Sequence, residues 1–243
     1  NPDTIPVCME HADPKMEELV AKLNDERELA AFKAKHDGYV PGAVPRFLGA
    51  LLVFCGNAVY GVKPSYLKFR AVEVIARVPY HSWESAAFTF LTMFFMNEKK
   101  ALALSNVAWF GRLASDNETM HVVVISQLAK KAEKSNWFVH TLIPMLFAFF
   151  YFWAAYWLYL FSHKAALELN YLLEQHAFDQ YSQFLKENAS ELREKRMESD
   201  YLAWYGRKAE TEYDFFLSVR NDEIIHRNNS ITHIETGVAK KVV

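Results

Sequence analysis

The chain has 243 residues, enough for one domain with a sizeable core, and 27 basic against 29 acidic residues leave a formal net charge of -2. That balance excludes a generally basic, nucleic-acid-binding protein, and two distant cysteines, Cys8 and Cys55, exclude a disulfide scaffold and a cysteine-held metal. Aromatic residues make up 15% of the chain, more than a soluble core calls for, so contact with lipid or with an apolar ligand is expected.

The chain starts at Asn1 rather than Met, as expected of a processed or trimmed product with no targeting segment in view. Residues 1–44 are polar, proline-bearing and charged, which predicts an arm with one short helix near 14–36. From Phe47 to Val62 no residue is charged, but the run is shorter than the ~20 residues of a spanning helix. Residues 66–96 read as a helix kinked at Pro79, and 98–132 as a second helix broken or bent near Gly111. From Ser135 to His163 there is no Asp, Glu, Lys or Arg, and Phe, Tyr and Trp are dense. Helical patterning resumes at 164–188 and at about 209–229, separated by a charged stretch over 190–200 and by Tyr201–Arg207. No strand-like alternation of useful length occurs, so the class is all-α. The organisation expected is an arm (1–44), one domain (45–233) and a short tail (234–243).

Glu-x-x-His occurs twice, as Glu118-Thr-Met-His121 and Glu223-Ile-Ile-His226. On a helix, positions i and i+3 share a face, so each pair presents a carboxylate and an imidazole to one metal. One such pair alone would read as a surface Glu beside a half-buried His. The arrangement is more specific: Glu73 precedes the first pair by 45 residues on the helix before it, and Glu174 precedes the second by 49. Two single glutamates and two Glu-x-x-His pairs on four helices are the ligand set of ferritin-like di-iron or di-manganese bundles. Hard carboxylates bridge and offset two cations, each imidazole completes one shell, and iron suits such a site. Glu73 also stands four residues before Arg77, the spacing of a plain ion pair, while Glu174 sits among apolar residues where an unpartnered carboxylate is costly. His176 and Asp179 are rival ligands that do not share its face. Tyr181, two turns beyond Glu174, reads equally as a redox or proton-relay tyrosine or as core.

Four segments carry a family resemblance. Val72-Glu73-Val74-Ile75-Ala76-Arg77-Val78-Pro79-Tyr80, Asn117-Glu118-Thr119-Met120-His121, Leu173-Glu174-Gln175-His176-Ala177-Phe178-Asp179-Gln180-Tyr181 and Arg220-Asn221-Asp222-Glu223-Ile224-Ile225-His226 resemble, in order, the motifs of the alternative oxidase family, closest to its plastid terminal oxidase branch. The resemblance spans roughly residues 66–230. It implies a di-iron, membrane-bound quinol:oxygen oxidoreductase that oxidises quinol, plastoquinol above all, reduces O2 to water and pumps no protons. It assigns two Fe to Glu73, Glu118, His121, Glu174, Glu223 and His226 and a catalytic role to Tyr181. It also implies that Asn117, Asp222 and Arg220 orient the ligands and relay protons, with Lys68 and Arg77 as quinol contacts. The family's arginine five residues before its first ligand is Lys68 here, its threonine after that ligand is Val74, and the tract before the last ligand helix is short.

The 135–163 run is long enough to span a bilayer, yet one crossing there would put two ligand helices on each side of the membrane. The ligand helices carry charges such as Glu168, Asp179 and Lys186 and are poor spans themselves. The expected fold is therefore a four-helix di-iron bundle with added membrane-interface helices, a monotopic protein with both termini on one side. The expected place is the plastid thylakoid membrane, with the mitochondrial inner membrane as the alternative. Partners expected are quinol, O2 and lipid, no nucleic acid, and either a second copy or a larger membrane complex. Competing readings are a di-iron hydroxylase of a lipid-soluble substrate and an oxidase-like structural subunit whose arm grips its neighbours.

Overall fold

The computed structural model describes residues 11–236, and all regular structure among them is helical apart from one isolated bridge between Arg196 and Thr211. Cys8, the first prolines, the last residues of the tail and the expectation about the two termini lie outside the described residues.

Ten α-helices follow one another among the described residues. The arm holds two helices, α1 (Pro14–Lys22) and α2 (Glu26–Ala34), where one was expected. The break comes at Leu23-Asn24-Asp25, because the Asp25 carboxylate accepts from the backbone N–H groups of Arg27 and Glu28 and so starts a new helix. Val20, Leu23 and Leu29 bury against Phe178, Ile224 and Ile225, which seats the described part of the arm on its own bundle.

Helix α3 (Ala43–Tyr60) lies across α8 (His163–Glu194) at Gly49, where a Cβ would sit 3.4 Å from the Leu172 side chain. Helices α4 (Tyr66–Ala76) and α5 (Val78–Phe94) are one rod bent at Arg77. Pro79 explains the bend, since it has no N–H to donate to Ile75 and its ring collides with that carbonyl. Helix α6 (Glu98–Ala132) runs through Gly111 without the break that the sequence suggests there. The glycine serves contact instead: a Cβ there would lie 2.7 Å from the Tyr80 carbonyl oxygen, so its absence lets α6 close onto α5. A π-helical turn (Phe138–Leu142) leads into α7 (Ile143–Phe161), and Ser162 caps α8 directly behind it. Helix α8 continues past the expected end at 188 because Leu192 still reaches the core while its charged neighbours face water. The short α9 (Asp200–Tyr205) turns at Gly206, and a capping box between Thr211 and Asp214 starts α10 (Glu212–Glu235).

The bundle is formed by the bent α4/α5 rod, α6, α8 and α10, packed as two pairs, α4/α5 with α6 and α8 with α10. One apolar cluster, including Phe69, Val124, Phe184 and Phe216, fills one end. A second, including Trp83, Leu104, Val107 and Leu167, fills the other. The six candidate ligands stand at the waist between them. Helices α3 and the 138–161 segment are long and apolar enough to cross a membrane, and both pack against bundle helices, α3 on α8 and α7 on α4, α5 and α8. Each shows one apolar stripe outward: Phe47, Leu51 and Phe54 on α3, and Leu146, Phe150, Trp153, Trp157 and Phe161 on α7.

Candidate metal centre

Glu73 comes from α4, Glu118 and His121 from α6, Glu174 from α8, and Glu223 and His226 from α10. None of the six is more than 3% exposed. Their side chains converge into two overlapping groups, each with ligand atoms within 4.8 Å of one another: Glu73, Glu118, His121 and Glu223; and Glu118, Glu174, Glu223 and His226. Glu118 and Glu223 belong to both groups, so these two carboxylates lie between two metal positions. The i,i+3 spacing makes this possible, since α6 and α10 each place a shared carboxylate and a terminal imidazole on one inward face.

His121 Nδ1 lies 3.5 Å from Glu73 Oε2, 3.4 Å from Glu118 Oε2 and 3.5 Å from Glu223 Oε1, while His226 Nδ1 lies 2.8 Å from Glu118 Oε1. Both oxygens of Glu118 and of Glu223, Glu73 Oε2, His121 Nδ1 and both nitrogens of His226 are buried without a hydrogen-bond partner. So many orphaned lone pairs aimed into one space would be strongly destabilising in a plain core. Two divalent cations would offset the four carboxylate charges and satisfy those atoms, and the oxygen-rich, imidazole-capped donor set fits iron or manganese. The residues therefore fit a two-metal centre.

Electrostatics tell the same story. Burial, and then the Glu118 charge beside it, pushes Glu73 up to about 7 against the pull of His121. Burial also raises Glu174, and it raises Glu223 well above the usual carboxylate range with help from Glu118 and Glu174. Glu118 is the exception: burial opposes its ionisation, but the nearby charge of His121, and then that of His226, holds it below its usual range. Burial therefore favours the protonated form of Glu73, Glu174 and Glu223, and bound cations would favour the charged form instead.

Around the cage, Asp222 of α10 accepts from His121 Nε2 at 2.8 Å and from Asn117 Nδ2 at 3.2 Å. This leaves His121 Nδ1 facing the carboxylates and fixes the ring. Burial works against the Asp222 charge, but Arg207 and His121 hold its carboxyl down at about 2. Arg207 is a residue that sequence reading missed. Buried in the turn after α9, it donates to both oxygens of Asp222 and to Glu17 of the arm. Nothing local to Arg207 signals this, because its partners lie in distant segments. Arg220, by contrast, donates to its neighbour Asn221 and to Glu26, and makes no hydrogen bond or ion pair with the six side chains. Tyr181 is buried and donates to Glu73 Oε1 while its ring stacks on Phe69 at 4.1 Å. Tyr80, also unforeseen, donates to Glu174 Oε1 at 2.6 Å.

An apolar cavity of about 190 Å³ opens among α3, α4, α7 and α8 and reaches Glu73, Glu174 and Tyr181. Its wall is mostly apolar, with Leu52, Val72, Phe147 and Leu173, and its few polar residues include Lys68, His176 and Gln180. Lys68 is buried, and Nζ donates to Asn57 Oδ1 at 3.0 Å, the Val62 carbonyl at 2.9 Å and Gln180 Oε1 at 2.8 Å. All three acceptors are neutral, and burial lowers the ammonium's pKa. Arg77, at the bend between α4 and α5, does not line the cavity and makes no ion pair with Glu73. His176 lines the cavity, and Asp179 accepts from Gln175 at the surface, so neither rival ligand joins the cage.

The sequence profile of the alternative oxidase family matches residues 57–234, which takes in all six cage residues. A curated relative, ubiquinol oxidase 4, chloroplastic/chromoplastic, of Arabidopsis thaliana, is 24% identical over 183 residues, covering 67% of this chain and 49% of the relative. The chain thus spans about half the length of that relative. No solved structure gives a significant match.

Proposed function

Since the chain belongs to the alternative oxidase family, we propose that it is a membrane-bound di-iron quinol oxidase that reduces O2 to water. The observation that carries this reading is the joining of cage and cavity. A two-metal ligand set lies at the inner end of an apolar cavity, beside two helices whose outward faces are aromatic stripes. We assign the metals to Glu73, Glu118, His121, Glu174, Glu223 and His226.

Bound iron supplies the redox and oxygen chemistry; the protein supplies position, dryness and proton paths. The outward stripes of α3 and α7 lie in the lipid interface, with the bundle on one side of the membrane. A quinol then enters sideways, its ring held by the apolar wall and its hydroxyls near Lys68, His176 and Gln180. Each quinol gives up two electrons and two protons, so two quinols balance the four of each needed to turn one O2 into two waters. His176, which burial and then the Lys68 charge keep neutral, stands in the wall as a proton acceptor. Tyr181 links the cavity to Glu73 and carries a proton or electron between them. Asp222 and Asn117 keep His121 in place. No residue path in this scheme crosses a membrane, so the reaction pumps no protons. The relative is named a ubiquinol oxidase of chloroplasts and chromoplasts, and the plastid part of that name supports a plastid location for this chain; plastoquinol as substrate and the thylakoid as membrane are our proposal from the motif resemblance.

The test is oxygen uptake by the purified, iron-loaded chain given plastoquinol and ubiquinol analogues in turn. Quinol-dependent uptake with water as product, faster with plastoquinol, is expected. Iron-loaded protein inert toward several quinols would contradict the oxidase reading, and hydroxylated product would move it to a hydroxylase.

A further inference from the structure

The scheme above uses one tyrosine at the cage and leaves a second unexplained. Tyr80 is fully buried, its ring packed with centroids 5.2 Å from Trp83, 5.9 Å from Phe110 and 5.3 Å from His226. Its hydroxyl sits 2.6 Å from Glu174 Oε1 and 2.8 Å from Asn170 Nδ2. The network decides which way the protons point. Ser230 Oγ donates to the His226 carbonyl at 3.1 Å, so it accepts from Asn170 at 3.1 Å, which places the amide nitrogen on that side. That same amide donates to the Tyr80 oxygen, and the single phenolic proton goes to Glu174.

The position obeys a rule that the other tyrosine also obeys. Tyr80 stands seven residues after Glu73, and Tyr181 stands seven residues after Glu174. The hydroxyls cross over: Tyr181 donates to Glu73, and Tyr80 donates to Glu174. Glu73 belongs with His121 in one ligand group and Glu174 with His226 in the other, while Glu118 and Glu223 are common to both. Each unshared carboxylate is therefore braced by a tyrosine from the opposite half of the bundle.

We propose that Tyr80 is the positioning residue for the Glu174–His226 half of the centre, the counterpart of Tyr181 at the Glu73–His121 half. The role rests on the metal-centre reading given above. A donor fixed on one carboxylate oxygen stops the group from rotating and satisfies a buried lone pair that the apolar surroundings leave bare. Tyr80 itself is held from behind, because the bare Gly111 of α6 abuts its carbonyl. A tyrosine used only for packing would need neither the oriented Asn170–Ser230 chain nor the hydroxyl.

Tyr80→Phe keeps the ring and deletes the brace. In the full chain, anaerobically loaded with ferrous iron enriched in the Mössbauer isotope, the wild type should show two iron environments. Tyr80→Phe should alter one and Tyr181→Phe the other, and the second ferrous ion should bind at least about tenfold more weakly to Tyr80→Phe. Replacing Tyr80 by a difluorinated tyrosine, which keeps the fold and shifts only donor strength, should move the same environment by a smaller step. Wild-type spectra and affinities in both Tyr80 variants would overturn the role, as would Tyr80→Phe and Tyr181→Phe changing the same iron. A wild-type chain that takes up no iron would instead sink the metal-centre reading, and this role with it.

Discussion

The cage and the cavity meet at Glu73 and Glu174, yet they are built on opposite principles. The cage is a set of polar atoms whose positions are fixed by charge and hydrogen bonds: Asp222 on His121, Tyr181 on Glu73, Tyr80 on Glu174. The cavity is a shape, made where apolar side chains of α3, α4, α7 and α8 fail to meet. Losing one candidate ligand should disable the cage and losing one bracing hydroxyl should weaken it, whereas the cavity should tolerate any change that leaves its volume open. On the proposed reading, the contrast predicts that metal binding and substrate binding are separable by mutation, although cage and cavity share Glu73 and Glu174.

The sharpest way to break the contrast is at Glu118, which lies in both ligand groups. Glu118→Ala should lose iron and oxygen uptake together, and His226→Ala should follow it. Iron analysis and an oxygen electrode check this, and full activity in either variant would remove that residue from the cage. Next comes Tyr181→Phe, which keeps the ring on Phe69 but removes the hydroxyl at Glu73. Oxygen consumption should fall at least about tenfold, equivalent to roughly 1.4 kcal/mol of barrier, with two irons still bound. Unchanged kinetics would return Tyr181 to the core.

Filling the cavity should give the opposite pattern. Leu52→Trp adds bulk to the wall from α3, a helix that carries none of the six candidate ligands, so KM for quinol should rise by about tenfold while iron content stays at wild type. Loss of iron in this variant would show that cage and cavity are not separable.

The smallest effect is on stability. Burial raises Glu73 to about 7 and raises Glu174 and Glu223, so the metal-free fold holds protons that the unfolded chain releases near its ordinary carboxylate range. For such groups stability is full below the unfolded value and is lost as pH rises through the folded one. His121 acts in the same direction: burial opposes its charge, but Glu118 raises it well above the usual imidazole range. Thermal melts of the metal-free chain should therefore show a lower Tm at pH 8 than at pH 5.5. Loaded protein should reverse the trend, because deprotonated ligands bind metal more tightly. A metal-free chain equally stable at both values would argue against a proton-filled cage.

The cage was legible in the sequence and most of its surroundings were not. Glu118 with His121 and Glu223 with His226 are one helical turn apart, so local periodicity alone put each pair on one face. The all-α class and the bend at Pro79 followed from equally local rules. Gly111 misled for a physical reason: a helix tolerates an isolated glycine, and this one serves contact with α5 rather than a break. Arg207 was invisible because its partners, Glu17 and Asp222, come from remote segments that only the fold brings together. Tyr80 was within reach, since the seven-residue step from Glu174 to Tyr181 also leads from Glu73 to Tyr80. Arg220, matched by motif, donates to Glu26 because neighbouring helix positions face different ways, whereas Asp222 and Asn117, matched in the same way, pair with each other and Asp222 reaches His121.

The most direct test of the account is the iron content of the full chain after anaerobic loading and gentle removal of excess metal. About two ferrous ions per chain are expected, as the paired ligand groups require, falling to fewer than about one in Glu118→Ala because that carboxylate serves both positions. No iron, zinc in its place, or two irons retained without Glu118 would contradict the claim that these six side chains form a di-iron centre.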